Sequence, residues 1–185
     1  TLRLPPAFAP IAMPGGRLAP YLAKRGVQAR QTLTASVAHT FFNFTDPQVG
    51  GYTPAKVALR RAIALAYDSA AEIRQLYNGQ ALPAQSMIVP NNYGYDPALK
   101  TEMSQASPAR ANALLDVYGY ARGSDGWRRH PDGTPLLLRR ASSQDQRSRQ
   151  QNELWHKHMT AIGLRIVLEV APFGELIKRS LAGQL

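Results

Sequence analysis

The stretch Thr53-Pro54-Ala55-Lys56-Val57-Ala58-Leu59-Arg60-Arg61-Ala62-Ile63-Ala64-Leu65-Ala66-Tyr67-Asp68 decides how the rest of the chain is read. Thr53 offers a side-chain oxygen to the first free amides, and Pro54 sits at the first helical position, where its missing N–H is not needed. Leu59, Ala62, Ile63 and Ala66 fall at i, i+3, i+4 and i+7, which makes one apolar stripe and leaves Lys56 and Arg60 outside. Immediately upstream, Thr34 to Phe44 is β-branched and aromatic and ends Phe41-Phe42-Asn43-Phe44-Thr45-Asp46-Pro47. That composition predicts a strand, and apolar groups on both faces near its end predict a central one.

Working outward, further helix starts carry the same punctuation. Ser69 with Glu72 reads as a capping box opening a second helix that closes at Asn78-Gly79. Ser107-Pro108 opens a third, with Ala111, Leu114, Leu115 and Tyr118 inward and Gly119 as its stop. Ser143 with Gln146 reads as another capping box, opening a long helix to about Ile162, with Trp155, Met159 and Ile162 inward and Gly163 as its end. Two strands interleave: Pro135 to Arg140, and Leu164 to Val170, where Leu164, Ile166, Leu168 and Val170 alternate with Arg165, Val167 and Glu169. Between the third helix and the first of these, Gly123 to Trp127 and Pro131 to Pro135 carry turn dipeptides and predict a small hairpin or connector. The order of strands and helices is that of an α/β domain with a mixed sheet flanked by helices. Residues 1–33, with Pro5-Pro6, Pro10, Pro14-Gly15-Gly16 and Pro20, lack a sustained period and read as an irregular lead-in with one short helix near Leu18 to Lys24.

Bulk composition narrows the function classes. The chain has 185 residues, 44% of them hydrophobic, enough for one domain with a real core. It contains no cysteine, which removes thiolate nucleophiles, Cys-ligated zinc and a disulfide framework. No apolar run reaches the length of a membrane span, so direct membrane insertion is not expected. A net charge of +10 and a pI near 10.3 raise a basic nucleic-acid-binding domain as the alternative reading. Against it, the arginines are dispersed as Arg60-Arg61, Arg128-Arg129, Arg139-Arg140 and Arg147 with Arg149, rather than gathered in one tract.

Enzymatic and metal chemistry find little foothold. No Gly-x-Ser-x-Gly elbow, glycine-rich phosphate loop or paired catalytic carboxylates appear, so no catalytic residue is assigned. His156 and His158 are spaced i, i+2, which points two imidazoles about 200° apart on a helix and prevents them from sharing an ion. Asp125 and Asp132 lack the alternating acidic spacing of a calcium loop and are better explained as turn residues. No metal site and no cofactor are expected.

Taken in order, the motifs resemble those of the bacterial extracellular solute-binding proteins of family 5, the oligopeptide- and dipeptide-binding type. The aromatic-Asn strand and the Val57 to Asp68 helix are followed by Gly79-Gln80-Ala81-Leu82-Pro83-Ala84, then Tyr93-Gly94-Tyr95-Asp96. Next come Pro108 to Asp116 with Gly119-Tyr120, Asp132-Gly133-Thr134-Pro135-Leu136, and Trp155 leading to Ala161-Ile162-Gly163-Leu164. The turn from Asp46 to Thr53 is longer than the family's usual one, and Leu59-Arg60 stands where Val-Arg is common.

The resemblance runs from about Val37 to Leu185. It implies one lobe of a type II periplasmic-binding-protein-like fold, similar to domain III of dipeptide-binding proteins. Residues 34–185 would be a partial C-terminal lobe of a two-lobed parent extending past both ends. It further implies a periplasmic receptor that captures a small solute, an oligopeptide above all, and delivers it to an inner-membrane ABC permease, with no enzymatic activity and no nucleic-acid partner. By the same resemblance Ser142, Ser143, Gln144 and Arg147, after the Leu136 to Arg140 strand, face the ligand cleft. There the helix N-terminus offers free amides to a carboxylate or carbonyl. The bland reading is that Ser143 only caps its helix and Arg147 is solvated. Asn43 stands between holding ligand main chain and binding its own turn.

Overall fold

The computed structural model describes residues 8–30 and 32–185. Its helices are α1 (Ala9–Ala12), α2 (Pro20–Ala23), α3 (Pro54–Ala66), α4 (Ser69–Leu76), α5 (Pro108–Val117), α6 (Gln146–Ala161) and α7 (Phe173–Leu181), and its strands are β1 (Leu137–Ser142) and β2 (Arg165–Val170). The chain divides into two compact units, one of Thr1–Ala38 with Ser69–Lys100, the other of His39–Asp68 with Thr101–Leu185. No helix among the described residues is long and apolar enough to cross a membrane.

In the first unit the lead-in forms the short α1 and α2 with a 3-10 turn at Pro14–Gly16 between them. The Asn78 side-chain amide donates to the Met13 carbonyl at 2.8 Å and ties the lead-in to the end of α4. Asn78 and Gly79 both take positive φ, which ends that helix where its sequence predicts.

The second unit holds the main core. Leu59, Ala62, Ile63, Leu65 and Ala66 of α3 pack with Ala111 and Leu115 of α5, with Trp155, Met159 and Ile162 of the α6 region, and with Leu136, Leu138 and Leu164 beside the strands. β1 and β2 run parallel, Leu137 opposite Arg165 and Ser142 opposite Val170, joined by α6 as a crossover. The core lies against the entry to β2. Leu164 is buried there, whereas Leu168 and Val170, expected on the same inward face, are 37% and 50% exposed.

α5 and α6 end alike. Tyr120 N–H donates to Leu115 O and Gly119 N–H to Asp116 O, and Leu164 N–H donates to Met159 O and Gly163 N–H to Thr160 O. Each is a Schellman turn with a left-handed glycine at φ 79° or 76°, and each folds the following residue back onto the core. Tyr120 is therefore fully buried, while Tyr118, expected inward from the helical period, is 37% exposed at the cap. Burial raises the Tyr120 phenol to about 12, and its hydroxyl donates to Ala55 O at 2.9 Å.

Three expectations are corrected. Thr34 to Phe44 is not a strand; it forms no ladder among the described residues, and Phe41 and Phe44 are largely exposed. High β-propensity alone makes no strand without a partner to accept its hydrogen bonds. Lys56 and Arg60 are not simply solvated: Lys56 donates to the carbonyls of Pro47 and Gln48, and Arg60 to those of Val49 and Gly51. The cap of α6 is Asp145 rather than Ser143, its carboxylate accepting from Ser148 N–H at 2.9 Å and Ser148 Oγ–H at 2.6 Å.

Other signals hold as read. Thr53 accepts from Lys56 N–H at the start of α3, and Ser107 from Arg110 N–H at the start of α5. Ser107 N–H also donates to Leu65 O at 2.7 Å, so this junction joins the end of α3 to the start of α5. Ser107→Ala is expected to lower stability by about 1 kcal/mol through loss of the cap, read as a shift in urea midpoint without a change in slope. The 121–135 segment is a small antiparallel hairpin pair, with bridges Arg122–Arg128 and Arg129–Pro135.

Candidate ligand site

The 43–51 loop is built from its own polar groups. Asp46 Oδ1 accepts from the N–H of Gln48 and of Val49, the Asp46 carbonyl from Gly50 N–H at 2.7 Å, and the Phe44 carbonyl from Gly51 N–H at 3.1 Å. Gly50 is buried, and a Cβ there would lie 2.5 Å from the Asp46 carbonyl oxygen and closer still to that of Phe44. Only glycine fits this crossing of backbones.

Asn43 enters the loop as an Asx turn, its Oδ1 accepting from Thr45 N–H at 2.9 Å and Thr45 Oγ–H at 2.7 Å. Among the described residues its Nδ2 reaches Gly183 O at 3.5 Å. The amide thus binds its own turn through oxygen and keeps a weakly engaged donor. Asn43 lines a groove of about 450 Å³ in the second unit, bounded by the 39–43 segment, Leu138 to Ala141 of β1, Trp155 of α6 and the inner face of α7. On its wall Arg139, whose side chain is 56% exposed, stands 3.8 Å from Asp46 and 3.9 Å from Glu169, and Arg179 pairs with Glu169 at 2.6 Å. The volume is that of a small-molecule site.

Ser142, Ser143, Gln144 and Arg147 lie together where β1 passes into α6, and none of them lines the groove that Asn43 borders. Ser142 is buried and its hydroxyl donates to Ser143 O at 3.4 Å; Gln144 and Arg147 are exposed. The N-terminus of α6 already holds an anion. Hydrogen bonds from Ser148 and Ser143 hold the Asp145 carboxyl at about 2, so it stays ionised through neutral pH. With its folded value below the usual 3.8, the stabilisation it brings is present above that value and is lost as pH falls toward 2.

The arginines are spread over partners within the chain. Arg61 and Arg110 share Glu102, Arg165 faces Asp125 and stacks on Trp127, and Arg140 stacks on Trp155 while donating to Asn152 and Gln151. Arg128 is 2% exposed. These arginines are engaged by partners within the chain rather than gathered on one another, and the nucleic-acid alternative finds no support. Two of the four histidines serve packing roles: His158 Nδ1 accepts from Asp68 N–H at 3.4 Å with its ring edge-on to Tyr67, and His130 is paired to Gln48. Among the described residues no group of three His, Asp or Glu side chains is placed to hold a metal ion.

Sequence reasoning missed Arg128, Gln48, Gly50 and Tyr120. The Gly50-Gly51 doublet, the Gly119 stop just before Tyr120 and the i, i+4 polar pair Asn112 and Asp116 on α5 carried the signals for them.

The fold is similar to parts of solved solute-binding proteins. The oligopeptide-binding protein OppA has 27% sequence identity and a TM-score of 0.62 over 70% of this chain and 20% of its own. An ABC transporter substrate-binding protein from Sinorhizobium meliloti has 30% identity and a TM-score of 0.54 over 62% of this chain and 23% of its own. The fold is accordingly α/β, with a small parallel sheet, of the kind found in periplasmic oligopeptide-binding proteins. Residues 11–185 match the model of the bacterial extracellular solute-binding proteins, family 5 Middle, and the chain belongs to that family. Di/tripeptide-binding protein 2 of Pseudomonas aeruginosa is 30% identical over 143 residues, 76% of this chain and 23% of that protein. The chain spans about a quarter of the length of these relatives, which are solute-binding proteins.

Proposed function

We propose that this chain is part of one lobe of a two-lobed receptor that captures a peptide or similar small solute and presents it to an inner-membrane ABC permease. The observation that carries the reading is the family match over residues 11–185 together with a di/tripeptide-binding relative at 30% identity. Residues 34–185 belong to a C-terminal lobe, residues 1–33 lead into it, and the protein works in the periplasm. It captures solute without transforming it and needs no cofactor. Two-lobed receptors close on their solute, so affinity depends on groups that each lobe presents to the cleft.

From this lobe the contributing residues are Asn43, Ser142, Ser143, Gln144 and Arg147. Asn43 presents its Nδ2 donor, left with a 3.5 Å contact. Arg147 presents an exposed guanidinium suited to a peptide carboxylate. Ser143 and Gln144 offer hydroxyl and amide groups to peptide main chain.

Isothermal titration of the full-length protein with defined dipeptides and tripeptides, alongside native mass spectrometry of gently purified protein, tests this. Expected are co-purified masses of short peptides, displaced by added peptide, and about tenfold weaker binding in Arg147→Ala, the scale of one hydrogen bond to a charged group. Failure of every peptide to bind or displace a bound species overturns the peptide assignment.

A further inference from the structure

β1 is paired along one edge only. In a parallel ladder the backbone groups of successive residues point to opposite edges of the strand. Ser142 O accepts from Ala171 N–H at 3.1 Å on the β2 side, whereas Leu137 N–H points away from β2, to Gln48 Oε1 at 3.2 Å. With Leu137 opposite Arg165, the backbones of Leu138, Arg140 and Ser142 serve β2, and those of Arg139 and Ala141 face the groove that Asn43 borders. Among the described residues, Arg139 and Ala141 make no backbone hydrogen bond on that edge. Across the groove stands the 39–42 segment, His39-Thr40-Phe41-Phe42, which also makes no backbone hydrogen bond there. It belongs to the stretch whose composition predicts a strand and which finds no ladder.

The groove is apolar on both faces of the sheet. Leu138 and Arg140 turn toward α3 and α6, Leu138 into the core and Arg140 over the Trp155 ring. On this side Val49, Ile63 and Trp155 line the groove. Arg139 and Glu169 turn to the opposite face, where Arg179 of α7 pairs with Glu169 at 2.6 Å. There α7 lines the groove with Phe173, Leu176 and Ile177, yet none of its residues is buried. A segment lying between these two faces has apolar neighbours above and below, the environment of a central strand. The charged side chains are matched to partners already: Arg139 and Arg179 to Asp46 and Glu169, and Arg140 to Asn152 and Gln151. Such a lining suits uncharged backbone with apolar side chains better than a short peptide with two charged ends.

We infer that this groove is a strand slot, filled by an apolar extended segment of the receptor's own chain and not by the solute. The segment matches the six residues of β1 in length and pairs with Arg139 and Ala141 on one side and with 39–42 on the other. The sheet then has four strands in the order β2, β1, inserted segment, 39–42, and both open edges are satisfied. That the segment comes from the same chain rests on the receptor reading above, in which these residues span about a quarter of their relatives' length. The two facing open edges do not depend on it.

Residue-resolved hydrogen exchange of the ligand-free full-length protein tests the slot, with tri-alanine as the peptide probe. The Arg139 and Ala141 amides are expected to exchange at least about a hundredfold more slowly than open-chain amides, as Leu138 and Arg140 do on the β2 side. Alternate amides of 39–42 are expected to share that protection. Adding tri-alanine or diluting the protein is expected to leave these rates unchanged. Open-chain rates at Arg139 and Ala141 would overturn the slot. So would protection gained only with tri-alanine, which puts the solute in the groove, or lost on dilution, which puts a second copy there. Protected edges in a protein that binds no peptide support the slot and overturn the peptide assignment alone.

Discussion

Arg128→Met is expected to lower the stability of the chain by about 3–5 kcal/mol, the largest effect of any charged residue here, measured as a fall in urea midpoint. The guanidinium is buried and uses both ends of its fork: Nε donates to Ile162 O at 2.8 Å, one terminal nitrogen to Tyr120 O and Asp116 Oδ1 at 2.6 Å each, the other to Asn112 Oδ1 at 2.8 Å. Ile162 caps α6, and Asn112, Asp116 and Tyr120 belong to α5 and its closing turn. One side chain thus satisfies the Ile162 and Tyr120 carbonyls at the ends of two helices.

Methionine keeps the apolar stem but strands those oxygens away from water, whereas Asp116, 65% exposed, simply rehydrates. The companion change Asp116→Ala leaves the bonds from Arg128 to the Ile162 and Tyr120 carbonyls in place and is therefore expected to cost clearly less than Arg128→Met, although it removes the carboxylate that faces a buried guanidinium. Equal losses in the two variants would mean that the ion pair, and not the carbonyl fork, holds the helix ends together.

Gly50→Ala is the second large effect, expected at about 3 kcal/mol or more, the upper range for overpacking a buried site. The atoms that a new methyl would meet are backbone carbonyls of Phe44 and Asp46, so no side-chain rotation relieves the contact. The loop must open, the Asp46 carbonyl loses Gly50 N–H, and the carbonyls that Lys56 and Arg60 cap are displaced. On the receptor reading proposed above, the same substitution is expected to weaken solute binding by the full-length protein, because Asn43 starts this loop. Unchanged thermal stability of Gly50→Ala would refute the close crossing. Gly51→Ala makes a useful contrast, since a methyl there meets open space and its strain comes only from a positive φ of 83°.

The helices were legible because their signals are local. Thr53-Pro54 and Ser107-Pro108 cap where they stand, and Gly119 and Gly163 stop their helices by backbone conformation alone. A capping hydroxyl or a left-handed glycine acts over four or five residues, within the reach of a sequence pattern. The aromatic run at Thr34 to Phe44 misled for the opposite reason: a strand is a relation between two segments, and composition names only one. At the start of α6 two candidates competed two residues apart, and the carboxylate of Asp145 took the place assigned to Ser143.

By itself, then, the sequence determined the order of elements from α3 to β2, the caps of α3 and α5, the glycine stops of α5 and α6, the apolar face of α3 and the membership in a family of solute binders. The tertiary structure alone decided that Arg128 is a buried node, that Tyr120 rather than Tyr118 enters the core, and that Gln48 joins loop, hairpin and strand across 82 and 89 residues of separation. The physical reason is that propensity and capping are short-range terms written residue by residue. A buried cation or a shared carbonyl exists only once distant segments have excluded water from the same place.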